Sequence, residues 1–374
     1  MYIAPRFHTN QVGIVKGWID NGHEVKFISY YASPNEDYGY VEPIVLGFSP
    51  IYNLIDRIYC VLHHNAPETR LFKINYGIPP FLKLKKIIKQ WKPDIIILRE
   101  RSLYAIAAYM LARNKSICIL YNQTPMWDEP LKTDIRHRLV YALTPKYRFT
   151  PVMGHEEQGK AVAPHSYFLP FVIEPIMSPD EKTYFKDGKI NFLCVGVYND
   201  QKNHKLTMRA LDLIRDNLDD SFHLTIVGEV GESDQIQYLK ELKECIAELK
   251  LDKWITLCTN QRKVDMGRFY ENADVFLLPS RHEPASVSQL EAMAYSIPVI
   301  CSNTNGTGCH VIDGYNGFHS IDDDAESLAE KLLYMIEHKE DIPTMGANAY
   351  KSVKENNSFE KYYEGICQII GDMA

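Results

Sequence analysis

The stretch from Leu278 to Ile300, LPSRHEPASVSQLEAMAYSIPVI, most narrows what this chain can fold into. An apolar run stops at Pro279-Ser280, and a loop carrying Glu283 follows. Leu290, Met293 and Ala294 then recur with the period of a helix that buries one face. Pro284, Ala285 and Ser286 are suited to open that helix, and Ser296-Ile297-Pro298 closes it before Val299 and Ile300 resume an extended run. Strand, loop, helix and strand in so few residues is the repeating unit of a parallel sheet. A helix start presents unpaired N–H groups and the positive end of the helix dipole, a setting that suits phosphate. Glu283 stands before that start and Glu291 inside the helix, so the pattern fits a nucleotide diphosphate that carries a sugar.

The same alternation runs through both halves of the 374 residues. In the first, strands are expected at Tyr2–Ala4, Glu24–Ser29, Asp94–Leu98, Ile117–Tyr121, Tyr147–Val152 and Tyr167–Leu169, with helices at Gln11–Ile19, Ser102–Ala112 and Asp134–Leu143. In the second, strands are expected at Lys189–Val197, Phe222–Val227, Trp254–Cys258 and Asp274–Leu278. The helices between them read as Asn203–Asp216, Ser233–Leu249 and Val264–Glu271, and helices fill most of the remainder. Asp94-Ile95-Ile96-Ile97-Leu98 is apolar throughout, as in a strand covered on both faces. Pro170-Phe171-Val172-Ile173-Glu174-Pro175 is an extended, proline-bounded linker between the halves. The expectation is an α/β protein of two doubly wound domains, residues 1–170 and 171–357, with a closing helix at 358–374 that packs back on the first. Ligand-binding loops should follow Val197, Val227, Cys258 and Leu278, at the carboxyl ends of the strands.

Hydrophobic residues make up 45% and charged residues 24%, the balance of a globular chain. No apolar run reaches the roughly 18 residues of a membrane span, and MYIAPRFHTN lacks the pattern of a secretory signal. The eight cysteines have no metal-ligand spacing and read as reduced core residues of a cytoplasmic protein. The net charge of −7 is unevenly spread: residues 1–172 hold 21 Lys and Arg against 14 Asp and Glu, whereas the rest hold 20 against 34. A basic half suits an acidic acceptor or an anionic membrane surface. Phe81–Lys92 is amphipathic, with Leu84, Ile87, Ile88 and Trp91 on one face among lysines. That face either lies on a membrane or, in the simpler reading, packs on the sheet before Pro93. No basic stripe interleaved with aromatics points to a nucleic acid.

Lys202 follows its strand by a short turn, where a lysine can meet a diphosphate as a point charge. Asn203 after it has the chemistry of a helix cap. Glu283 and Glu291 are eight positions apart, about 12 Å if all of that were helical. A pair acting on one glycosidic bond stands roughly 5–9.5 Å apart. Separate roles therefore fit better, Glu283 accepting from sugar hydroxyls and Glu291 from the ribose.

Together these residues resemble the retaining glycosyltransferases of family 4. Glu283, seven residues and Glu291, set in LEAMAYSIPVI, look like that family's nucleotide-sugar signature. Phe192–Asn203 is similar to its strand and turn with a phosphate-binding lysine, here Lys202, and with a glycine, here Gly196. Ile226-Val227-Gly228 fits its next strand end. Asn305-Gly306-Thr307-Gly308 and Asp313-Gly314-Tyr315-Asn316-Gly317-Phe318 fit its glycine-rich turn and following loop. The resemblance is strong over about residues 190–335 and weaker over the first half.

The resemblance implies the GT-B fold, two Rossmann-like domains facing a central cleft, and transfer of a sugar from a UDP-sugar to a glycan or glycolipid with retention at the anomeric carbon. It implies Lys202 and Glu283 as catalytic. Glu291, Pro284, Ala285, Ser286, Val287, Gly196 and Gly228 would bind donor, with neither metal nor cofactor, the lysine and the helix-start N–H groups supplying positive charge. Where the family carries an arginine after the glycine, this chain has Val197, so Arg262 or Arg6 would have to supply that charge. His8, Arg99, Arg101, Asn122, Gln123 and His155 sit at strand ends or adjoining loops of the first half and are candidates for acceptor binding. A nucleotide-sugar epimerase of the same architecture and a non-catalytic relative remain as alternatives, the second favoured by Val197.

Overall fold

A computed structural model describes all residues except 32–37, 63–69, 124–134 and 154–162. Two units are distinct: the described residues of Met1–Pro151, of Gly159–Val172 and Phe359–Ala374 in the first, and Ile173–Ser358 with Val152 and Met153 in the second. Among the described residues no helix is long and apolar enough to cross a membrane.

Seven parallel strands build the first unit: β1 (Tyr2–Ala4), β2 (Phe27–Ser29), β3 (Ile44–Val45), β4 (Ile95–Arg99), β5 (Ile117–Tyr121), β6 (Arg148–Thr150) and β7 (Ser166–Phe168). Their order across the sheet is β3-β2-β1-β4-β5-β6-β7. The direction in which strands are added reverses between β1 and β4, which defines the point where open α/β sheets bind ligands. Ile96, Leu98, Cys118 and Leu120 are buried toward one face and Ile97, Ile119 and Tyr121 toward the other. This explains the unbroken apolar run read from the sequence: a parallel sheet covered by helices leaves neither face to water.

The helix Phe81–Trp91 turns Leu84 and Ile88 into this core. Its apolar face therefore packs on the sheet, and its lysines are solvated. The strands and helices anticipated here are present, with ends moved by up to three residues. The helices Pro50–Leu62 and Arg70–Tyr76 and the edge strand β3 were not anticipated. The helix Phe359–Met373 completes the unit by burying Tyr362, Ile366 and Ile369. Within that contact the Trp18 indole N–H donates to the Tyr2 hydroxyl at 2.7 Å, which lies 3.1 Å from the Tyr362 hydroxyl. Gly17 is small because the Phe359 ring fills the space where a Cβ would stand.

Six parallel strands build the second unit: β8 (Ile190–Val195), β9 (Phe222–Gly228), β10 (Ile255–Thr259), β11 (Val275–Leu278), β12 (Val299–Ser302) and β13 (Gly317–Ser320), in the order β10-β9-β8-β11-β12-β13. Here the reversal falls between β8 and β11. All four residues of β11 are buried, as are Val299, Ile300 and Cys301 of β12. Asp274 fixes the start of this sheet by accepting from the backbone N–H of Phe185 (2.8 Å) and Asn191 (2.7 Å).

Ile366 lies in the first unit's core, 1% exposed. Ile366→Ala is expected to lower the stability of that unit by about 2–5 kcal/mol through lost burial and the cavity left behind. Denaturant unfolding followed by tryptophan fluorescence, with Trp18 as a reporter, checks this.

Candidate functional site

At the reversal point of the second sheet, the loop after β8 and the loop after β11 are neighbours. The first contains a short 3-10 turn, Asp200–Lys202, capped by the Asn199 side chain, which accepts from Lys202 N–H. The second runs from Pro279 to Ser286. Arg281 N–H donates to Gln201 C=O at 2.8 Å and ties the two loops together. Lys202 Nζ then lies 2.6 Å from Glu283 Oε2, with the two side chains 15% and 10% exposed. Residues 81 positions apart are thus joined by a nearly buried, charge-assisted hydrogen bond.

Two glycines shape the floor of this site for different reasons. A Cβ on Gly196 would stand 2.8 Å from Lys202 Cε and 2.9 Å from its Cδ, so the lysine stem lies directly across this glycine. A Cβ on Gly228 would stand 2.5 Å from the Tyr198 ring and 2.6 Å from Gly196 C=O. Tyr198 is fully buried, and its hydroxyl donates to Ile226 C=O at 2.9 Å. Lys202 continues into the fully buried His204, whose imidazole burial lowers to a pKa of about 3, with the nearby Lys202 charge as a lesser cause.

The helix of this motif spans Val287–Ala294, with Ser286 as its cap, accepting from Gln289 N–H. It starts later than the sequence suggested: Pro284 and Ala285 belong to the loop, not to the first turn. The N–H groups of Ala285, Val287 and Ser288 have no hydrogen-bond partner among the described residues. A third loop holds this approach in shape. Gly306 N–H donates to Glu283 C=O at 2.8 Å, His282 N–H to Thr304 Oγ1 at 3.0 Å and Ser286 N–H to Thr307 Oγ1 at 3.2 Å. A Cβ at position 306 would fall 2.0 Å from Pro284 C=O, which explains the glycine there. The buried Gln289 joins the same network, donating to Thr307 C=O at 3.0 Å.

Glu291 is engaged differently from Glu283. Tyr270 O–H donates to its Oε2 at 2.8 Å, and its other oxygen has no partner among the described residues. Burial raises the pKa of this carboxyl, opposed by the Tyr270 hydrogen bond and by the charge of Lys263. Tyr270 and Lys263 were not anticipated. They come from a different helix and turn, and no local pattern relates them to Glu291.

One reading needs correction. Asn203 is not a side-chain cap: it takes a left-handed conformation (φ 50°) and its amide donates to Asp323 at 3.3 Å. Arg262 is 78% exposed and paired with Asp265 at 2.7 Å, without a contact to Lys202 or Glu283. Asn122, in the first unit, is buried, and its side-chain carbonyl accepts from Arg148 at 3.1 Å.

The other candidates of the first unit gather near its own reversal point. His8 follows β1, with Nδ1 accepting from Asn10 N–H at 3.3 Å. Arg99 ends β4 above the Tyr121 ring (5.4 Å), Arg101 lies over the Tyr141 ring (4.4 Å) and Gln123 follows β5. Arg6 is half-buried in the loop after β1. His155 lies outside the described residues. Glu100, between the two arginines, has a left-handed backbone (φ 62°), and burial raises its pKa against the pull of Arg99 and Arg101. The signal for it was present in Arg99-Glu100-Arg101 directly after an apolar strand. Among the described residues no cluster of His, Cys, Asp and Glu could hold a metal ion.

Residues 179–352 match the family described as Glycosyl transferases group 1. This stretch, a little under half of the chain, is similar to the group 1 glycosyl transferases. Its curated relatives include an uncharacterized glycosyltransferase, MJ1178, of Methanocaldococcus jannaschii, 26% identical over 197 residues and covering 52% of each chain. They also include the capsular polysaccharide biosynthesis glycosyltransferase CapM of Staphylococcus aureus, 27% identical over 208 residues, 48% of this chain and 55% of that protein. The alignments span about half the length of these relatives. Over the whole chain the fold is that of HepE from Anabaena, solved with UDP, at a TM-score of 0.70, 13% identity and 99% coverage of both chains. The architecture is GT-B, with two parallel-sheet Rossmann-like domains. The ion pair and the open helix start both lie within the matched stretch.

The two glycines separate fold from site. Gly228→Ala is expected to cost about 1–3 kcal/mol, because the Tyr198 ring and a backbone carbonyl must move. Gly196→Ala should cost less, since only the lysine stem must shift, but it should displace Lys202 from Glu283. Melting curves for both variants, with a crystal structure of Gly196→Ala, check this contrast. Glu291 also makes stability depend on pH. Its raised pKa means the folded state holds a proton that the unfolded state has released, so stability falls as pH rises from the ordinary carboxyl value through the elevated one. Glu291→Gln should therefore melt higher than the parent at pH 7, with the gap closing as pH falls below the ordinary carboxyl value.

Proposed function

We propose that the chain is a retaining glycosyltransferase that moves a sugar from a nucleotide-diphosphate donor, a UDP-sugar in the first instance, to a glycan or glycolipid acceptor. The observation that carries this reading is the Lys202–Glu283 pair beside the open N–H groups of Ala285, Val287 and Ser288 at the sheet reversal of the stretch similar to group 1 glycosyl transferases. The UDP bound to HepE, a protein of the same fold, supports the choice of base.

In this reading the diphosphate lies along the start of the helix Val287–Ala294, where the N–H groups and the dipole favour negative charge. Lys202 leaves Glu283 for the phosphates, and charge building on the departing oxygen is met by the ammonium group. Glu283, released from its partner, accepts from a hydroxyl of the transferred sugar and fixes its orientation. The free oxygen of Glu291 accepts from the ribose, while Tyr270 holds the other. The acceptor hydroxyl attacks from the face the diphosphate leaves and gives its proton to the departing phosphate oxygen, so configuration is retained. The positive charge in this scheme comes from the protein, and no divalent ion is called for. The first unit is read as the acceptor unit, through His8 and Arg99 at its own reversal point. The basic surplus of that half supports an acidic acceptor.

Val197 favours a second reading, a non-catalytic relative that binds nucleotide without transfer, because among the described residues no other cation is paired with Lys202 or Glu283. Binding and turnover separate the two. UDP should raise the melting temperature more than GDP or ADP does, by mass action on the folded state. Glu291→Ala should weaken UDP binding by roughly 10–100-fold, the worth of a hydrogen bond to a charged group. Lys202→Ala should lower turnover by about 100-fold or more with a smaller effect on affinity. That variant also leaves Glu283 nearly buried without its partner, at a cost of order 3 kcal/mol. Lys202→Met combined with Glu283→Gln removes both charges and serves as the folding control. Tight UDP binding without release of sugar to any acceptor or water would instead establish the non-catalytic reading.

A further inference from the structure

Three aspartates in a row, Asp322-Asp323-Asp324, follow β13 in the second unit and read along the chain as a solvated acidic run. The fold gives each a different place. Asp322 is tied to the loop after β12: its N–H donates to Asn303 Oδ1 at 3.0 Å, and its carboxylate accepts from Ser302 Oγ at 3.4 Å. Asp324 caps the helix Ala325–Glu337, accepting from the N–H groups of Glu326 and Ser327, both at 3.0 Å. Asp323 stands between these two fixed neighbours with a left-handed backbone (φ 56°).

A single oxygen of Asp323, Oδ1, is reached by three donors: Arg281 Nη2 at 2.6 Å, Asn203 Nδ2 at 3.3 Å and Arg209 Nη2 at 3.4 Å. The Arg281 hydrogen bond is the chief cause that keeps this carboxyl below its ordinary pKa, so it is charged at neutral pH. The positions of the donors matter. Asn203 directly follows Lys202, and Arg281 lies two positions before Glu283. Arg209 sits on the helix His204–Leu213, which leaves the lysine turn. One carboxylate thus reaches both loops that carry the ion pair, through side chains other than the pair itself.

We propose that Asp323 is a positioning residue for Lys202 and Glu283: through Asn203 and Arg281 it keeps the lysine turn and the glutamate loop in register when the ion pair opens. The direct link between those loops is broken whenever the lysine turns to a phosphate, whereas the contacts of Asp323 involve neither of the two charges. Its worth to the fold is small, because the Asp323 and Arg281 side chains are 50% and 38% exposed and water screens such a pair. Its effect is on geometry. The kinetic part of the test rests on the reading that the pair serves sugar transfer; the other part does not.

Asp323→Gly removes the carboxylate and suits the left-handed backbone. With UDP-glucose as donor and UDP release as the readout, this variant should lower kcat roughly tenfold or more with little change in KM, as displaced reacting groups do. Asp323→Asn keeps an acceptor oxygen and should recover most of the loss. Asp324→Ala, which removes only the helix cap, should lower the melting temperature and leave kcat as it is. Independently of turnover, Lys202→Met, Glu283→Gln and their double variant measure the coupling of the pair by denaturant unfolding, and that coupling should fall in the Asp323→Gly background. If Asp323→Gly does not fold, Arg281→Met removes the same contact from the other side. Equal coupling in the two backgrounds overturns the proposal, and so does a loss of kcat in Asp324→Ala that matches the loss in Asp323→Gly. A parent chain that does not turn over UDP-glucose counts against the transferase reading alone, and the coupling then decides on Asp323.

Discussion

The Lys202–Glu283 contact is the interaction on which the second unit's site depends. It joins two loops that share nothing in sequence, and it is nearly withdrawn from water. Desolvating both groups is costly, so the pair persists only because its surroundings are fixed beforehand. Gly196 gives the lysine stem a track, the Asn199 cap sets the turn that launches it, and Arg281 N–H binds the partner loop to Gln201. The third loop, through Thr304, Gly306 and Thr307, holds Glu283 from the other side. Each support is a backbone or small-residue feature, which leaves the two charged groups as the parts able to change partner.

That arrangement suits a site that must exchange one anion for another. The lysine is neutralised by Glu283. A diphosphate offers more negative charge than a single carboxylate, and the open N–H groups at the helix start add to the attraction. Glu291 bears the opposite burden: burial raises its pKa, so at neutral pH it costs the fold stability.

The two units follow one topological rule and differ in how much of it their local chemistry completes. In the second, both loops at the reversal point carry charged groups that meet. In the first, Arg99, Glu100 and Arg101 crowd the end of one strand, and Asn122 spends its carbonyl on Arg148. Glu100 is strained in its backbone and flanked by cations. It was missed because a carboxylate between two arginines reads as a solvated charge run until its burial is known.

The sequence by itself determined the alternation of strand and helix, because apolar runs of strand length and helical periodicity are local properties. β5 was read to the residue, Ile117–Tyr121, and the motif around Glu283 and Glu291 was legible because its strand, loop and helix are contiguous. The helix Pro50–Leu62 was not seen as a feature, since a pattern of apolar spacing does not say which way the stripe points. Only tertiary structure could decide that Lys202 meets Glu283 and that Tyr270 holds Glu291. These are pairings across tens of residues, set by the order of strands in a sheet, and no spacing along the chain encodes the distance between two loop ends.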